Sequence, residues 1–230
     1  MATTTALCDE NGQTFCAWNQ TSEWATVSGG LEKDAAVIEK VSGETGIPAR
    51  MIAAVVVPEQ LRFFTSEREI FKSYFEPLKI LGSLSQFSLG VSGIKQETAN
   101  DEEKNASDSA SPFYPGPNMA PLIAYEESTT THNDALYNRL TDPKDHYYSY
   151  LYTALYIKEV EAQWQKSGFD IHSNPAVIAT LFNIGFANSK PNASPQVGGA
   201  PITIGGTTYL FGELGADFYA SDELTNIFPK

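Results

Sequence analysis

GIPARMIAAVVVPEQ, residues 46–60, decides how the chain is read. Pro48 suits the first turn of a helix, where its missing N–H costs nothing. Met51, Ile52, Val55 and Val56 then form an apolar face. Pro58 lacks a donor and its ring crowds the carbonyl four residues back, so the helix is expected to kink or stop near Glu59. A carboxylate at the end of so apolar a segment is either a solvated helix end or an acid set in a low-dielectric site.

Working outward, LEKDAAVIEKVSGETG before this stretch reads as a helix with Leu31, Ala35, Ile38 and Val41 on one stripe and Gly43 after its end. Residues 1–30 read as a polar, turn-rich N-terminal extension closed by Gly29-Gly30. After it, residues 31–230 read as one domain. Ser66 could cap a third helix, EREIFKSYFEPL, through Glu69 three residues on. Residues 100–134, rich in Ser, Asp, Pro and Thr, are expected to form a surface insertion rather than a core layer. In DPKDHYYSYLYTALYIKEVEAQWQKSG, Tyr150, Ala154, Ile157, Val160 and Trp164 step along one helix face and Gly168 closes it. Its tyrosines read as core side chains with wet hydroxyls in preference to a sugar platform. Asn174-Pro175 opens a short buried helix, NPAVIATLFNIG. ITIGGTTYLFG is a hairpin centred on Gly205-Gly206. The expected fold is therefore mainly α with a small C-terminal β-hairpin at about 201–212.

Composition narrows the function classes. The 28 acidic against 15 basic residues leave a net charge of −13, which argues against nucleic acid or an anionic membrane as partner. No stretch approaches the roughly 20 apolar residues of a membrane span. The first residues, MATTTALCDENGQ, contain neither a basic nor an apolar region, so no secretion signal is visible. Cys8 and Cys16 could close a disulfide across CDENGQTFC or stand as two free thiols. His132, His146 and His172 are far apart and none pairs with a cysteine at ligand spacing, so neither a metal site nor a cofactor is expected.

Four segments in order resemble the lysozyme-like lytic transglycosylases, the family of the soluble lytic transglycosylase domain and goose-type lysozyme. GIPARMIAAVVVPEQ resembles the helix delivering the catalytic glutamate. SLGVSGIKQETA resembles the family's Gly-Leu-Met-Gln stretch running to Thr-Ala. LTDPKDHYYSYLYTALYIKEVEAQW resembles the next helix, and LFNIG the Ala-Tyr-Asn-x-Gly motif. The resemblance covers residues 44–187 apart from the insertion. There are departures. Aligning on Thr98-Ala99, the preferred register, puts Gly93 where the family has Gln, whereas aligning on Gly90 and Gly93 makes Gln96 that residue. Phe182 replaces the usual Tyr, and Gln60 stands where Ser is common.

The resemblance implies a lysozyme-like domain that cleaves the N-acetylmuramic acid–N-acetylglucosamine bond of peptidoglycan glycan strands, in the periplasm or outside the cell. It implies Glu59 as catalytic acid and base, with Ser88, Gly90, Gln96, Phe182 and Asn183 as substrate-binding residues. The residues themselves fit that chemistry. A glycosidic oxygen leaves only when protonated, and Val55–Val57 with Phe63-Phe64 supply apolar surroundings for a carboxylic acid. Glycosidases usually pair two carboxylates. Here Glu67, Glu69 and Glu76, the acids between Glu59 and Gly90, fit the exposed face of the third helix, which agrees with a single-glutamate mechanism. A hydrolase on the same fold, or a non-catalytic glycan-binding module, are the alternatives.

Overall fold

The computed structural model describes residues 16–65, 88–125 and 131–230. Its centre is the opening stretch. Helix α3, Ala49–Thr65, buries every residue from Met51 to Val57, and Leu61, to 1% exposure or less. A helix apolar on all sides belongs inside a bundle, and α3 is packed by α1 (Ser22–Lys33), α2 (Ala35–Thr45), α6 (Tyr147–Lys166), α7 (Pro175–Ile184) and α8 (Phe211–Ala220). Each buried valine or isoleucine contributes about 1.5–3 kcal/mol. The result is a mainly α fold with a small C-terminal hairpin.

Pro58 does not end α3, which continues to Thr65. The carbonyl it leaves without a helical donor is that of Ala54, and α8 crosses closest there. A Cβ on Gly215 would stand 2.7 Å from Ala54 O and 2.8 Å from Ala179 Cβ, and one on Gly212 would stand 2.5 Å from Ala176 O. Two glycines on one face of α8 thus let three backbones meet.

Residues 22–30, read as part of a polar N-terminal extension, are helical and packed into the core. Thr21 caps α1 by accepting from Trp24 N, 3.2 Å, and α1 carries Trp24, Val27 and Leu31 into the core. Trp18 and Trp24 pack edge to face, centroids 4.9 Å apart, against Phe218 of α8. The break between α1 and α2 falls at Asp34, and α2 runs past Gly43 to a left-handed cap at Gly46, φ 74°. The stripe read as one helix is therefore shared by two. Cys16 is disulfide-bonded. Cys8 lies outside the described residues, as does the third helix expected after Ser66.

Residues expected to form a surface insertion contribute to the core. Helix α4, Gln96–Ser107, buries Ala99, Glu102 and Ala106, and a 3-10 turn, Ala120–Ile123, brings Ile123 in after Met119. Helix α5, His132–Leu140, follows. Ahead of α4, β1 (Ser88–Leu89) and β2 (Ile94–Lys95) pair antiparallel around a turn with Gly90 and Gly93 at φ 65° and 66°.

Helix α6 buries Tyr150, Tyr152 and Tyr156, and their hydroxyls bond to Asp34, Glu103 and the Leu181 carbonyl. Asn174 caps α7 through Val177 N, 3.2 Å. Strands β3 (Pro201–Ile204) and β4 (Thr207–Leu210) pair with Ile202 opposite Tyr209, and Gly205-Gly206 supplies the two positive φ angles of a two-residue turn. The hairpin ends at Leu210, because Phe211 already opens α8.

Candidate functional site

A cleft of about 440 Å³ opens along one side of α3. Glu59 and Arg62 line it from α3, Gly93 and Ile94 from the β1–β2 turn, Lys95 and Thr98 from the start of α4. Tyr156, Phe182 and Asn183 complete it from α6 and α7.

Glu59 is 5% exposed. Its surroundings are less apolar than the sequence reading expects, because Arg62, one turn on, meets both carboxyl oxygens at 2.6 and 2.7 Å. Both contacts come from one nitrogen, Arg62 Nη2, so the guanidinium anchors the carboxyl through charge-assisted hydrogen bonds. Gly93 backs the same group: a Cβ there would lie 2.6 Å from Glu59 Cγ and 2.7 Å from Cδ. With φ at 66°, the position favours glycine for a second reason. The turn holding Gly93 is fixed in turn by Ser92, whose Oγ donates to Ser149 O at 3.1 Å.

Asn183 stands at the end of α7. Its Oδ1 accepts from Ala200 N, 2.7 Å, which ties the 198–200 segment to the cleft wall and leaves the amide nitrogen as the donor a ligand could use. Phe182 meets Tyr156 edge-on at 5.2 Å, and Tyr156 stacks on Phe186 at 4.3 Å. Burial pushes the Tyr156 hydroxyl well above its ordinary range and Glu102 and Glu159 add to the effect, so it stays a neutral donor to Leu181 O, 2.8 Å.

The structure thus brings Glu59, Gly93, Phe182 and Asn183 together and leaves other expected residues elsewhere. Gln96 donates to Asn133 O on α5, 3.1 Å, and does not line the cleft. Gly90 faces α6 instead, where a Cβ would meet Ser149 Oγ at 2.5 Å. For Ser88 the backbone pairing with Lys95 is what the structure describes. Sequence reasoning missed Arg62, Tyr156 and Thr98. An arginine three residues after Glu59 was a usable signal, whereas Tyr156 was hidden among tyrosines read as core. Among the described residues no group of three or more His, Cys, Asp or Glu side chains could hold a metal ion, and no helix is long and apolar enough to cross a membrane.

No family model, no curated protein and no solved structure matches the chain.

Proposed function

We propose that this cleft binds a peptidoglycan glycan strand and that Glu59 cleaves it by lytic transglycosylation. The observation that carries the reading is the convergence of residues from separate segments. Glu59, Gly93 and Asn183 come from three motifs of the sequence resemblance, and all line one cleft. In the proposed reaction the Glu59 carboxyl passes its proton to the glycosidic oxygen while the substrate's acetamido carbonyl supports the anomeric carbon. The resulting carboxylate takes the proton of the muramic C6 hydroxyl, whose oxygen closes a 1,6-anhydro ring. The Asn183 amide nitrogen is suited to hold the acetamido oxygen, and Phe182, backed edge-on by buried Tyr156, offers an aromatic wall to the sugar. Arg62 has to leave the carboxyl oxygen that carries the proton, so this reading includes a swing of its guanidinium when the sugar enters.

The close Arg62 contact itself favours a second reading, a glycan-binding module in which Glu59 is one half of a structural ion pair. Digestion of purified sacculi by wild type and Glu59→Gln, matched by circular dichroism and melting temperature, separates the two. General acid catalysis is worth roughly 10²–10⁴-fold, and one group serving as both acid and base should lose at least that. Anhydromuropeptides from wild type alone are the expected result. Reducing-end products from wild type alone would identify a hydrolase. Retention on sacculi without any product would identify the binding module.

A further inference from the structure

On the other side of the β1–β2 turn, the residue after Glu59 opens into a second cavity. Gln60 and Val91 line it together with Val56, the C-terminal half of α1, and His146 and Tyr150 from the start of α6, enclosing about 510 Å³. One wall is aliphatic, from Val27, Leu31, Val56 and Val91. Beside it Gly29 and Gly30 present bare helix, with nothing within 4 Å of where a Cβ would stand.

The polar groups of this cavity are already ordered without a ligand. Asp34 Oδ2 accepts the Tyr150 hydroxyl at 2.7 Å and meets His146 Nδ1 at 2.6 Å. A carboxylate on Nδ1 fixes the proton there and leaves Nε2 as an acceptor. Gln60 gives its amide nitrogen to Val91 O, which leaves its Oε1 as a second acceptor. Lys33 adds a cation to the lining. Two acceptors, an aliphatic wall and an ammonium group match a ligand with an amide N–H, an aliphatic side chain and a carboxylate.

We propose that this cavity is a binding site for an acylated amino acid, either a free N-acyl amino acid or the C-terminal residue of a peptide. The amide N–H meets Gln60 Oε1 or His146 Nε2, the aliphatic side chain covers Val91 beside the bare helix at Gly29 and Gly30, and the carboxylate faces Lys33. None of these residues lines the Glu59 cleft, so the proposal stands apart from the glycan reading.

The test is an amide chemical-shift titration of the full chain with N-acetyl-L-leucine, its neutral carboxamide and the peptide Ala-Ala-Leu. Saturable shifts at Gly29, Gly30 and Val91 are expected, with affinity about tenfold lower for the carboxamide and for the His146→Ala and Lys33→Glu variants. Gly30→Leu tests the site without removing a bond. It sets a side chain in open space and exchanges glycine for a better helix former, so the melting temperature should hold or rise while binding is lost. Glu59→Gln should bind as wild type does. A tighter Ala-Ala-Leu complex identifies the peptide as source, and equal affinity the free molecule. No saturable shift up to millimolar probe, or binding that Gly30→Leu and His146→Ala leave unchanged, overturns the proposal.

Discussion

Gly93 packs directly against the Glu59 carboxyl. A Cβ at position 93 would stand 2.7 Å from the Glu59 carboxyl carbon, well inside van der Waals contact distance, at a backbone angle that disfavours any side chain. Gly93→Ala should therefore displace the carboxyl from its contact with Arg62 Nη2. The expected cost is about 1–2 kcal/mol of stability from the positive φ. If Glu59 cleaves glycan as proposed, the loss of that activity should be larger, on the order of 10²-fold, because displacing a reacting group by about 1 Å costs that much. Thermal melts beside sacculus digestion check it. A variant that loses stability and activity in the same proportion would show that the contact is only structural.

Between elements, two arrangements stand out. Arg50, at the start of α3 and 1% exposed, donates to the carbonyls of Phe218, Tyr219, Ser221, Glu223 and Phe228 at 2.6–3.0 Å. One guanidinium thus satisfies the C-terminal end of α8 and the chain beyond it. Lysine has three donors, so Arg50→Lys strands at least two of these five carbonyls. At about 1–3 kcal/mol each, the melting temperature should fall by on the order of 5–15 °C. The second arrangement lies between α4 and α6. Glu102 and Glu159 are fully buried, and both oxygens of Glu102 and Oε1 of Glu159 lack a hydrogen-bond partner among the described residues. Asn105 donates to the other Glu159 oxygen at 3.1 Å.

Burial pushes the Glu159 carboxyl up from its ordinary 4.5 to about 10, with Asp101 adding to the effect and Asn105 opposing it. Burial raises Glu102 as well, with help from Glu159, Glu103 and Asp101. Both carboxyls are neutral in the folded chain near neutrality, whereas an unfolded chain ionises them above about 4.5. Their contribution to stability is complete below pH 4.5 and is lost progressively as pH rises toward 10. Asp217, pushed up to about 7 by burial and Glu213, acts in the same direction. Glu159→Gln removes the ionisation and keeps the shape. Relative to wild type it should be neutral at pH 4.5 and raise the melting temperature by on the order of 5 °C at pH 8. A constant offset at all pH values would show that the proton is not what couples these helices to pH.

At the scale of the whole molecule, charge governs encounter. With a net charge of −13 the chain has no long-range attraction to an acidic polymer such as a bacterial wall. If the cleft works on that wall, added salt should screen the repulsion and speed attack. Digestion of sacculi is expected to rise about two- to tenfold between 10 and 150 mM salt, as the screening length shortens from about 30 to about 8 Å. A fall with salt would mean that a local basic surface, not the net charge, steers the approach.

Sequence by itself determined what depends on neighbours along the chain. The unbroken apolar run of α3, the Asn174-Pro175 start of α7, the α6 stripe from Tyr150 to Trp164 and the Gly205-Gly206 turn are local, and each stands in the structure. So are Glu59, Phe182 and Asn183, three of the residues that meet in the cleft. Only the tertiary structure decided the rest. Helix α4 is polar along most of its length, yet Glu102 is buried because α6 covers it. Trp18 and Trp24, ahead of residue 31, are core because Phe218, some 200 positions later, packs against them. Pro58 reads as a kink or an end of the helix, and α3 continues through it where Gly215 lets α8 come close. Gln96 turned to α5 instead of the cleft because Asn133 O stood within reach. Periodicity encodes which side of a segment avoids water; which distant segment arrives to cover it, and which hydrogen bonds it brings, is fixed only when the chain closes on itself.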